Sequence, residues 1–209
     1  MKVAIFDFDG VIVDTLNIKL ECFKSVYLSD DWLDEYIEII HLKNGGAPRD
    51  LKLKSLEVLR TGYIPTKKHL AEKVSKFAST FQSKLGLCKP TDGIVRVLER
   101  FSTDNVHCCI CSAAPWLEIT EILKKLEILH YFELIKGSEN TKLNNLASII
   151  ATFDFNLNEF LYFGDALVDY ESAQKVGIPF VGVNFDPHLA NELGIQSYKG
   201  FEEYDQPSS

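Results

Sequence analysis

The sequence lacks the excess of basic residues that general nucleic-acid binding requires. Lysine and arginine number 22 against 30 aspartate and glutamate residues, which gives a formal net charge of -8 at pH 7 and a pI of about 5.2. Proteins that hold the nucleic-acid backbone do so with a basic surface. We therefore expect no nucleic-acid partner, and an anionic substrate would need a local positive group.

The sequence also has no apolar run of the roughly 20 residues that a membrane-spanning helix needs. The apolar run after Lys2 lasts only four residues before Asp7 interrupts it, so the sequence predicts no signal peptide. We therefore expect no membrane partner. Separately, we expect the protein to be a monomer or a weak homodimer.

Cysteine is scarce, with five residues, and three of them crowd into the segment VHCCICS at 106–112. An odd number of cysteines fits free thiols in the reducing cytoplasm better than a disulfide framework. Cysteine also packs well as a small apolar residue in buried strands, which we favour over a soft-metal site shared with His107. We therefore expect a cytoplasmic protein.

Short apolar runs recur along the chain at the length of buried parallel strands. They are Val3–Phe6, Val106–Cys111, Phe132–Ile135, Phe160–Gly164 and Phe180–Val183. Helical patterns separate most of them, and the helix after Pro115 is expected to bury Leu117, Ile122, Leu123 and Leu126. This alternation predicts an α/β fold with a doubly wound parallel sheet.

The stretch between Thr15 and Lys89 interrupts that alternation, because it holds amphipathic helical patterns and no convincing strand. The helix predicted after Thr66, a candidate N-cap, has apolar residues at helical spacing: Leu70, Val74, Phe77 and Phe81. The sequence thus predicts a small helical domain at residues 15–89, inserted into an α/β core formed by residues 1–14 and 90–209. The polar tail EEYDQPSS at 202–209 is expected to be loose.

Polar side chains follow four of the predicted strands, at the sheet edge where ligands bind in open parallel sheets. In chain order they are Asp7 and Asp9, Ser112, Lys142, and Asp165 and Asp169. Carboxylates without a neighbouring cysteine or histidine form a hard oxygen site that suits Mg²⁺. A lysine and a hydroxyl are groups that hold phosphate oxygens. The combination indicates phosphoryl transfer.

These residues lie in four motifs that resemble the signatures of the haloacid dehalogenase-like hydrolases, whose members are mostly magnesium-dependent phosphatases. In the order of the family they are DFDGVIVDT at 7–15, the serine of CICSAAP at 109–115, the lysine of GSENTKLNNL at 137–146, and GDALVD at 164–169. The resemblance covers the core from Met1 to about Asn184. It also implies that the helical insert is a cap, as in the subgroup of phosphoglycolate phosphatases and β-phosphoglucomutases.

The resemblance assigns roles to the acidic residues. It implies that Asp7 is the nucleophile, which forms an aspartyl phosphate, and that Asp9 is first the general acid and then the general base. It implies that Mg²⁺ is held by Asp7, the backbone carbonyl of Asp9 and Asp165, with Asp169 reaching the ion directly or through water.

The resemblance also implies a phosphate-binding set. Ser112 and Lys142 would hold the phosphoryl oxygens, with Gly10 and Ala113 beside them. Lys142 fits the position in the family better than Lys136 does. Related enzymes often use a cap loop at this place to contact the leaving group, and Arg49 lies in the glycine-containing segment HLKNGGAPRD at 41–50. Two roles for Arg49 stay open: binding of a second anionic or hydroxylated part of the substrate, or a solvent-exposed arginine at the start of a helix. The sequence differs from the family signatures at two positions, since an alanine follows Ser112 where asparagine is frequent and no proline follows Lys142. These differences weaken any inference about which substrate is bound.

Several readings of the same residues stay open. A phosphomutase of the β-phosphoglucomutase type would keep every core residue, and a non-catalytic protein could bind a phosphorylated ligand. A haloacid dehalogenase is disfavoured because Asp9 is present, and a phospho-acceptor receiver module is disfavoured because of the insert and the GDALVD motif. We expect a magnesium-dependent phosphatase that acts on a small-molecule phosphomonoester.

Overall fold

The computed structural model describes residues 1–28, 30–43 and 45–205. The chain forms two compact units, one of Met1–Asp14 with Lys89–Ser209 and the other of Thr15–Cys88. That the second unit acts as a cap stays a prediction. Among the described residues, no helix combines the length and the apolar character needed to cross a membrane.

The strands and helices are numbered in chain order. The strands are β1 Val3–Phe6, β2 Val13–Asp14, β3 Lys89–Pro90, β4 His107–Cys111, β5 Phe132–Lys136, β6 Phe160–Gly164, β7 Phe180–Val183 and β8 Ser197–Tyr198. The α-helices are α1 Leu16–Val26, α2 Asp34–Lys43, α3 Arg49–Thr61, α4 Lys67–Lys84, α5 Ile94–Thr103, α6 Trp116–Lys125, α7 Lys142–Ile150, α8 Leu167–Val176, α9 Pro187–Leu193 and α10 Gly200–Tyr204.

The first unit is built on a six-stranded sheet in the order β5-β4-β1-β6-β7-β8. Every pairing in this sheet is parallel, and β1 lies between β4 and β6. The chain winds from β1 to one side through β4 and β5, then returns past β1 to β6, β7 and β8. The predicted doubly wound α/β fold is confirmed, and the winding reverses at the carboxyl end of β1, where such folds bind ligands.

Apolar side chains on one face of the sheet form a buried cluster that fixes the register of the central strands. Val3 and Ile5 of β1 pack there with Cys109 and Cys111 of β4, and helix α7 covers them with Leu146 and Ile149. The thiols of Cys108, Cys109 and Cys111 are free and buried. The cysteines of β4 therefore serve as small apolar core residues.

The second unit consists of helices α1 to α4. Helix α4 begins after Thr66, whose hydroxyl accepts a hydrogen bond from the His69 backbone N–H, and it buries Phe77 and Phe81 as its spacing predicts. The Phe77 ring lies 4.5 Å from the ring of Phe23 in helix α1. Packing of this amphipathic face stabilises a helix that propensity alone would leave marginal.

A buried carboxylate joins helices α3 and α4 of the second unit. The Glu57 side chain is 1% exposed, and its Oε2 lies 3.2 Å from Nη2 of Arg60 and 2.8 Å from Nε2 of His69. Lys73 Nζ lies 3.4 Å from the other carboxylate oxygen. Burial by itself raises the pKa of Glu57, but the hydrogen bonds from Arg60 and His69 and the charge of Lys73 outweigh it and lower the pKa to about 2.

Two expectations about the periphery of the core were wrong. In helix α6 the side chain of Leu117 is 67% exposed, and Ile119 is buried instead, with Ile122 and Leu123. The tail expected to be loose includes the end of helix α10, where the ring of Tyr204 packs against that of Phe163 at 5.2 Å. Residues 206–209 lie outside the described part of the chain.

Candidate active site

The carboxyl ends of β1, β4 and β6 bring polar residues from distant parts of the sequence to one edge of the sheet. Asp7 directly follows β1, Ser112 follows β4 and Asp165 follows β6. The Asp7 backbone N–H donates to the Phe163 carbonyl at 2.8 Å, which extends the β1–β6 ladder to the candidate nucleophile. Sheet hydrogen bonding therefore fixes the position of Asp7.

Three carboxylates converge at this edge. Asp7, Asp165 and Asp169 each place a carboxylate oxygen within 4.8 Å of the others. Asp7 is 3% exposed and Asp169 is fully buried. Such a concentration of buried negative charge needs compensation by cations or protons.

Lys142 provides one compensating cation. It is 6% exposed, and its Nζ lies 3.0 Å from Oδ2 of Asp7 and also contacts Oδ1 of Asp169. Burial alone would lower the pKa of Lys142, but the charges of Asp169 and Asp7 raise it above its usual value. The ammonium therefore stays charged between two carboxylates.

Helix α7 places this lysine at its first position. The Thr141 hydroxyl caps the helix by accepting the backbone N–H of Asn144 at 3.2 Å. Asn145 Nδ2 donates to the Gly137 carbonyl at 2.7 Å, which ties the helix to the preceding loop. These local hydrogen bonds aim the Lys142 side chain at the carboxylates.

Asp169 is held by several hydrogen bonds. Its Oδ1 contacts the ammonium of Lys142 and lies 2.7 Å from the hydroxyl of Tyr162, and its Oδ2 accepts the Ala166 backbone N–H at 3.2 Å. A Cβ atom on Gly164 would lie 2.5 Å from the Cβ of Asp169. The glycine of the GDALVD motif is therefore required by the close approach of Asp169 to β6.

The remaining charge imbalance favours a bound cation. Burial is the largest of the causes that raise the pKa of Asp7 to about 7; Lys142 lowers it, and Asp169 and Asp9 raise it. Burial also raises the pKa of Asp165 well above its usual value, and Asp7 and Asp169 add to that rise. The positive charge near Asp7 and Asp165 is thus too small to offset the free-energy cost of keeping both carboxylates ionised.

One oxygen of Asp7 is available to a metal ion. Its Oδ1 is buried and accepts no hydrogen bond from the described residues. Asp165 and Asp169 each have a carboxylate oxygen within 4.8 Å of a carboxylate oxygen of Asp7, and all of these donors are of the hard kind that Mg²⁺ prefers. The residues present therefore fit a divalent cation.

The loop after β1 positions Asp9 and Gly10. Asp9 is half-buried and forms an isolated backbone bridge with Val13. Gly10 has a φ of 79°, which favours glycine, and its N–H donates to the Val13 carbonyl at 2.9 Å. The Gly10 carbonyl accepts a hydrogen bond of 3.0 Å from Nδ2 of Asn184. A side chain at the end of β7 thus supports the loop that carries Asp9.

Ser112 is 1% exposed. Its backbone N–H donates to the Lys136 carbonyl at 2.9 Å, and its hydroxyl oxygen accepts the Ala114 backbone N–H at 3.1 Å. Since the oxygen serves as an acceptor there, the hydroxyl proton can be donated to a ligand. Ala113 is half-buried and lies between Ser112 and Ala114. The phosphate-binding role of this segment stays a prediction.

Arg49 belongs to the second unit, where it begins helix α3. Its guanidinium carbon lies 4.7 Å from the centroid of the Phe77 ring, a cation–π distance. The predicted contact of Arg49 with the substrate stays a prediction.

Two residues that support the site, Tyr162 and Asn184, are not among the residues predicted from the sequence. Burial and the charge of Asp169 raise the pKa of Tyr162 well above its usual value, so its hydroxyl keeps its proton. In the sequence, Tyr162 is marked only by being the one polar side chain in the strand segment FLYFG at 160–164. Asn184 directly follows the apolar run of β7, which is a position that the edge rule could have flagged.

Comparisons with known proteins agree with this geometry. The haloacid dehalogenase-like hydrolase family matches residues 4–183. A phosphoglycolate phosphatase of Agrobacterium fabrum is 22% identical over 189 residues, which is 87% of this chain and 80% of that protein. A phosphorylated carbohydrates phosphatase of Thermotoga maritima is 24% identical over 146 residues, 68% of this chain and 63% of that protein.

A solved structure shares the fold over its whole length. The structure of a hydrolase from Pseudomonas syringae has a TM-score of 0.80 at 21% identity, and the match covers all of both chains. The family predicted from the four motifs is confirmed. The chain belongs to the haloacid dehalogenase-like hydrolase family.

Proposed function

We propose that this chain is a magnesium-dependent phosphatase that hydrolyses a small-molecule phosphomonoester through an aspartyl phosphate on Asp7. The enzyme class predicted from the sequence, a phosphoric monoester hydrolase, agrees with the family and with relatives named as phosphatases. The observation that carries the proposal is the convergence of Lys142, Asp165 and Asp169 on the buried carboxylate of Asp7.

Asp7, Asp165 and the carbonyl of Asp9 would hold Mg²⁺, and Asp169, both of whose carboxylate oxygens already accept hydrogen bonds, would reach it directly or through water. When bound, the ion supplies positive charge that offsets the repulsion between the carboxylates and an anionic phosphate. Lys142 and the Ser112 hydroxyl would bind the phosphoryl oxygens. Charge balance at the site would then keep Asp7 ionised as a nucleophile.

In the first step, a carboxylate oxygen of Asp7 attacks phosphorus and forms the new O–P bond while the bond from phosphorus to the ester oxygen breaks. The carboxylic acid of Asp9 gives its proton to the leaving oxygen, which departs as an alcohol. Asp9 lies in the loop that follows β1, and its charge is one of the causes that raise the pKa of the Asp7 carboxyl, as expected for two carboxyl groups that act on the same phosphoryl group.

In the second step, the Asp9 carboxylate takes a proton from a water molecule, whose oxygen attacks the phosphorus of the aspartyl phosphate. The bond between phosphorus and Asp7 breaks, inorganic phosphate leaves, and Asp9 is again a carboxylic acid. The covalent intermediate divides one difficult transfer into two easier ones.

For the substrate, we propose a small phosphorylated hydroxy acid or sugar. The relatives named above act on phosphoglycolate and on phosphorylated carbohydrates according to their names. The net charge of -8 requires that the local charge of Lys142 and a metal ion attract the phosphate. A panel of 2-phosphoglycolate, hexose phosphates and nucleoside monophosphates would identify the preferred leaving group.

The proposal is tested by the release of inorganic phosphate from para-nitrophenyl phosphate, with Mg²⁺ or with EDTA. We expect hydrolysis by the wild type with Mg²⁺ alone, and a loss of at least about a thousandfold in kcat for Asp7→Asn, as for removal of other catalytic nucleophiles. Asp154→Asn, an exposed position in the same unit, is the matched control and should keep the wild-type rate.

Equal rates for the wild type and Asp7→Asn would rule out the proposed nucleophile. Equal rates with Mg²⁺ and after exhaustive chelation would rule out the proposed metal. Conversion of a hexose phosphate into its isomer without release of phosphate would favour the phosphomutase reading instead.

A further inference from the structure

A fully buried tyrosine lies beside the carboxylate cluster. Tyr162 is the third residue of β6, and it packs in the apolar cluster with Val3, Ile5 and Cys111. Its hydroxyl oxygen lies 2.7 Å from Oδ1 of Asp169 and 3.1 Å from the carbonyl oxygen of Cys111. The apolar ring of Tyr162 thus lies in the core, while its hydroxyl points toward the proposed active site.

The hydroxyl has a single proton to donate, and the carboxylate is the stronger acceptor of the two. The distance to Asp169 is the shorter one, and hydrogen bonds to an ionised acceptor are stronger than those to a neutral carbonyl. The same Asp169 oxygen contacts the Lys142 ammonium. A continuous chain of contacts therefore runs from Tyr162 through Asp169 and Lys142 to Asp7.

Packing of the core does not require this hydroxyl. Phe160 and Phe163 are buried on the same strand with plain rings. Burying a hydroxyl costs free energy unless a hydrogen bond compensates for the lost water, and at Tyr162 the compensating partner is a residue of the site. The buried hydroxyl of Tyr162 is thus explained by its hydrogen bond to Asp169.

We infer that Tyr162 is a positioning residue of the proposed phosphatase, whose hydroxyl fixes the Asp169 carboxylate so that Asp169 holds the Lys142 ammonium at Asp7. This inference rests on the proposed function. Ala166 holds the second oxygen of Asp169, so the two hydrogen bonds together fix the rotation of the carboxylate. Without the Tyr162 hydroxyl, the Asp169 carboxylate can rotate, and the Lys142 ammonium that Asp169 contacts is no longer held in one position.

Tyr162→Phe removes the hydroxyl and keeps the ring. With para-nitrophenyl phosphate and Mg²⁺, we expect kcat to fall by about 10- to 100-fold, the loss typical of removing a group that orients a residue of the site, and KM to change by less than about twofold. Tyr204→Phe, in an aromatic cluster of the same unit, is the matched control and should keep the wild-type kcat.

A double-mutant cycle separates positioning from a general effect on the fold. If Tyr162 acts through Lys142, Tyr162→Phe should lower kcat by less than about threefold in a Lys142→Met background. Equal losses in both backgrounds, or a Tyr162→Phe variant with the wild-type kcat, would overturn the inference. Asp169→Asn is measured in parallel, so that an unchanged kcat there overturns it even where Tyr162→Phe does not fold.

The outcomes also separate this inference from the proposed function. A wild type without magnesium-dependent hydrolysis overturns both. A wild type that hydrolyses the substrate and an inactive Asp7→Asn, together with a fully active Tyr162→Phe, overturn the positioning role alone.

Discussion

The buried Glu57 should make the stability of the second unit depend on pH in the acid range. In the folded chain the hydrogen bonds and charges around Glu57 lower its pKa to about 2, against an ordinary value of 4.5. Each unit of such a difference corresponds to roughly 1.4 kcal/mol. Because the partner side chains His69 and Arg60 are 40% and 28% exposed, screening reduces the total to about 2 kcal/mol.

The sign of the effect follows from the direction of the shift. A carboxylate with a lowered pKa in the folded state adds its full stability above the pKa of the unfolded chain, and loses it as the pH falls through the folded value. Glu57→Gln should therefore cost about 2 kcal/mol of unfolding free energy between pH 5 and 7. The difference from the wild type should shrink steadily between about pH 5 and pH 2.

Urea unfolding followed by tryptophan fluorescence measures this difference. The sequence has two tryptophans, Trp32 in the second unit and Trp116 in the first. In a Trp116→Phe background the signal therefore reports on the second unit alone. Midpoints and slopes at pH 7, 5, 4 and 3 give the unfolding free energy of each variant.

Glu38→Gln is the matched control for this experiment. Glu38 also pairs with a lysine of the second unit, at 2.6 Å from Nζ of Lys24, but its side chain is 47% exposed. An exposed pair should contribute less than about 1 kcal/mol. If Glu57→Gln costs the same at pH 3 as at pH 7, or no more than Glu38→Gln, the reasoning from buried charge is refuted.

Three further outcomes follow from contacts described above. Gly164→Ala should lose about 1 to 3 kcal/mol of stability and most of its phosphatase activity, because the added Cβ meets the Cβ of Asp169; a wild-type melting temperature and kcat would contradict this. Arg49→Ala should raise KM for the preferred phosphomonoester more than for para-nitrophenyl phosphate, and an equal rise for both would refute a role in selectivity. The thiols of Cys108 and Cys109, whose pKa burial raises to about 12, should react slowly with a disulfide reagent at pH 8 until urea is added, whereas rapid labelling of the native protein would contradict their burial.

The sequence predicted the parts of the fold that rest on long or regular patterns. Apolar runs such as Val3–Phe6 and Phe160–Gly164 are the strands of the sheet with the expected bounds, because a strand buried on both faces is apolar at every position. The rule that parallel strands share a ligand-binding edge anticipated that Asp7, Lys142 and Asp165 would lie together.

Short elements and side-chain directions could not be read in the same way. Strands β2 and β3 have two residues each, too few for a period to be recognised. The burial of Ile119 rather than Leu117 depends on how helix α6 is rotated against the sheet, which spacing alone leaves open. The contact of Tyr162 with Asp169 joins the inside of a strand to the first turn of a helix, and only packing brings them together.

The order of the strands also bears on how the protein is made. Val3 of β1 pairs with His107 on one side and with Phe160 on the other. During synthesis, the apolar strand β1 therefore has both edges unpaired until β4 and β6 have left the ribosome. An unpaired edge of this kind invites association with other chains. The strand that directly precedes the candidate nucleophile therefore stays exposed to such association until β4 and β6 have been synthesised.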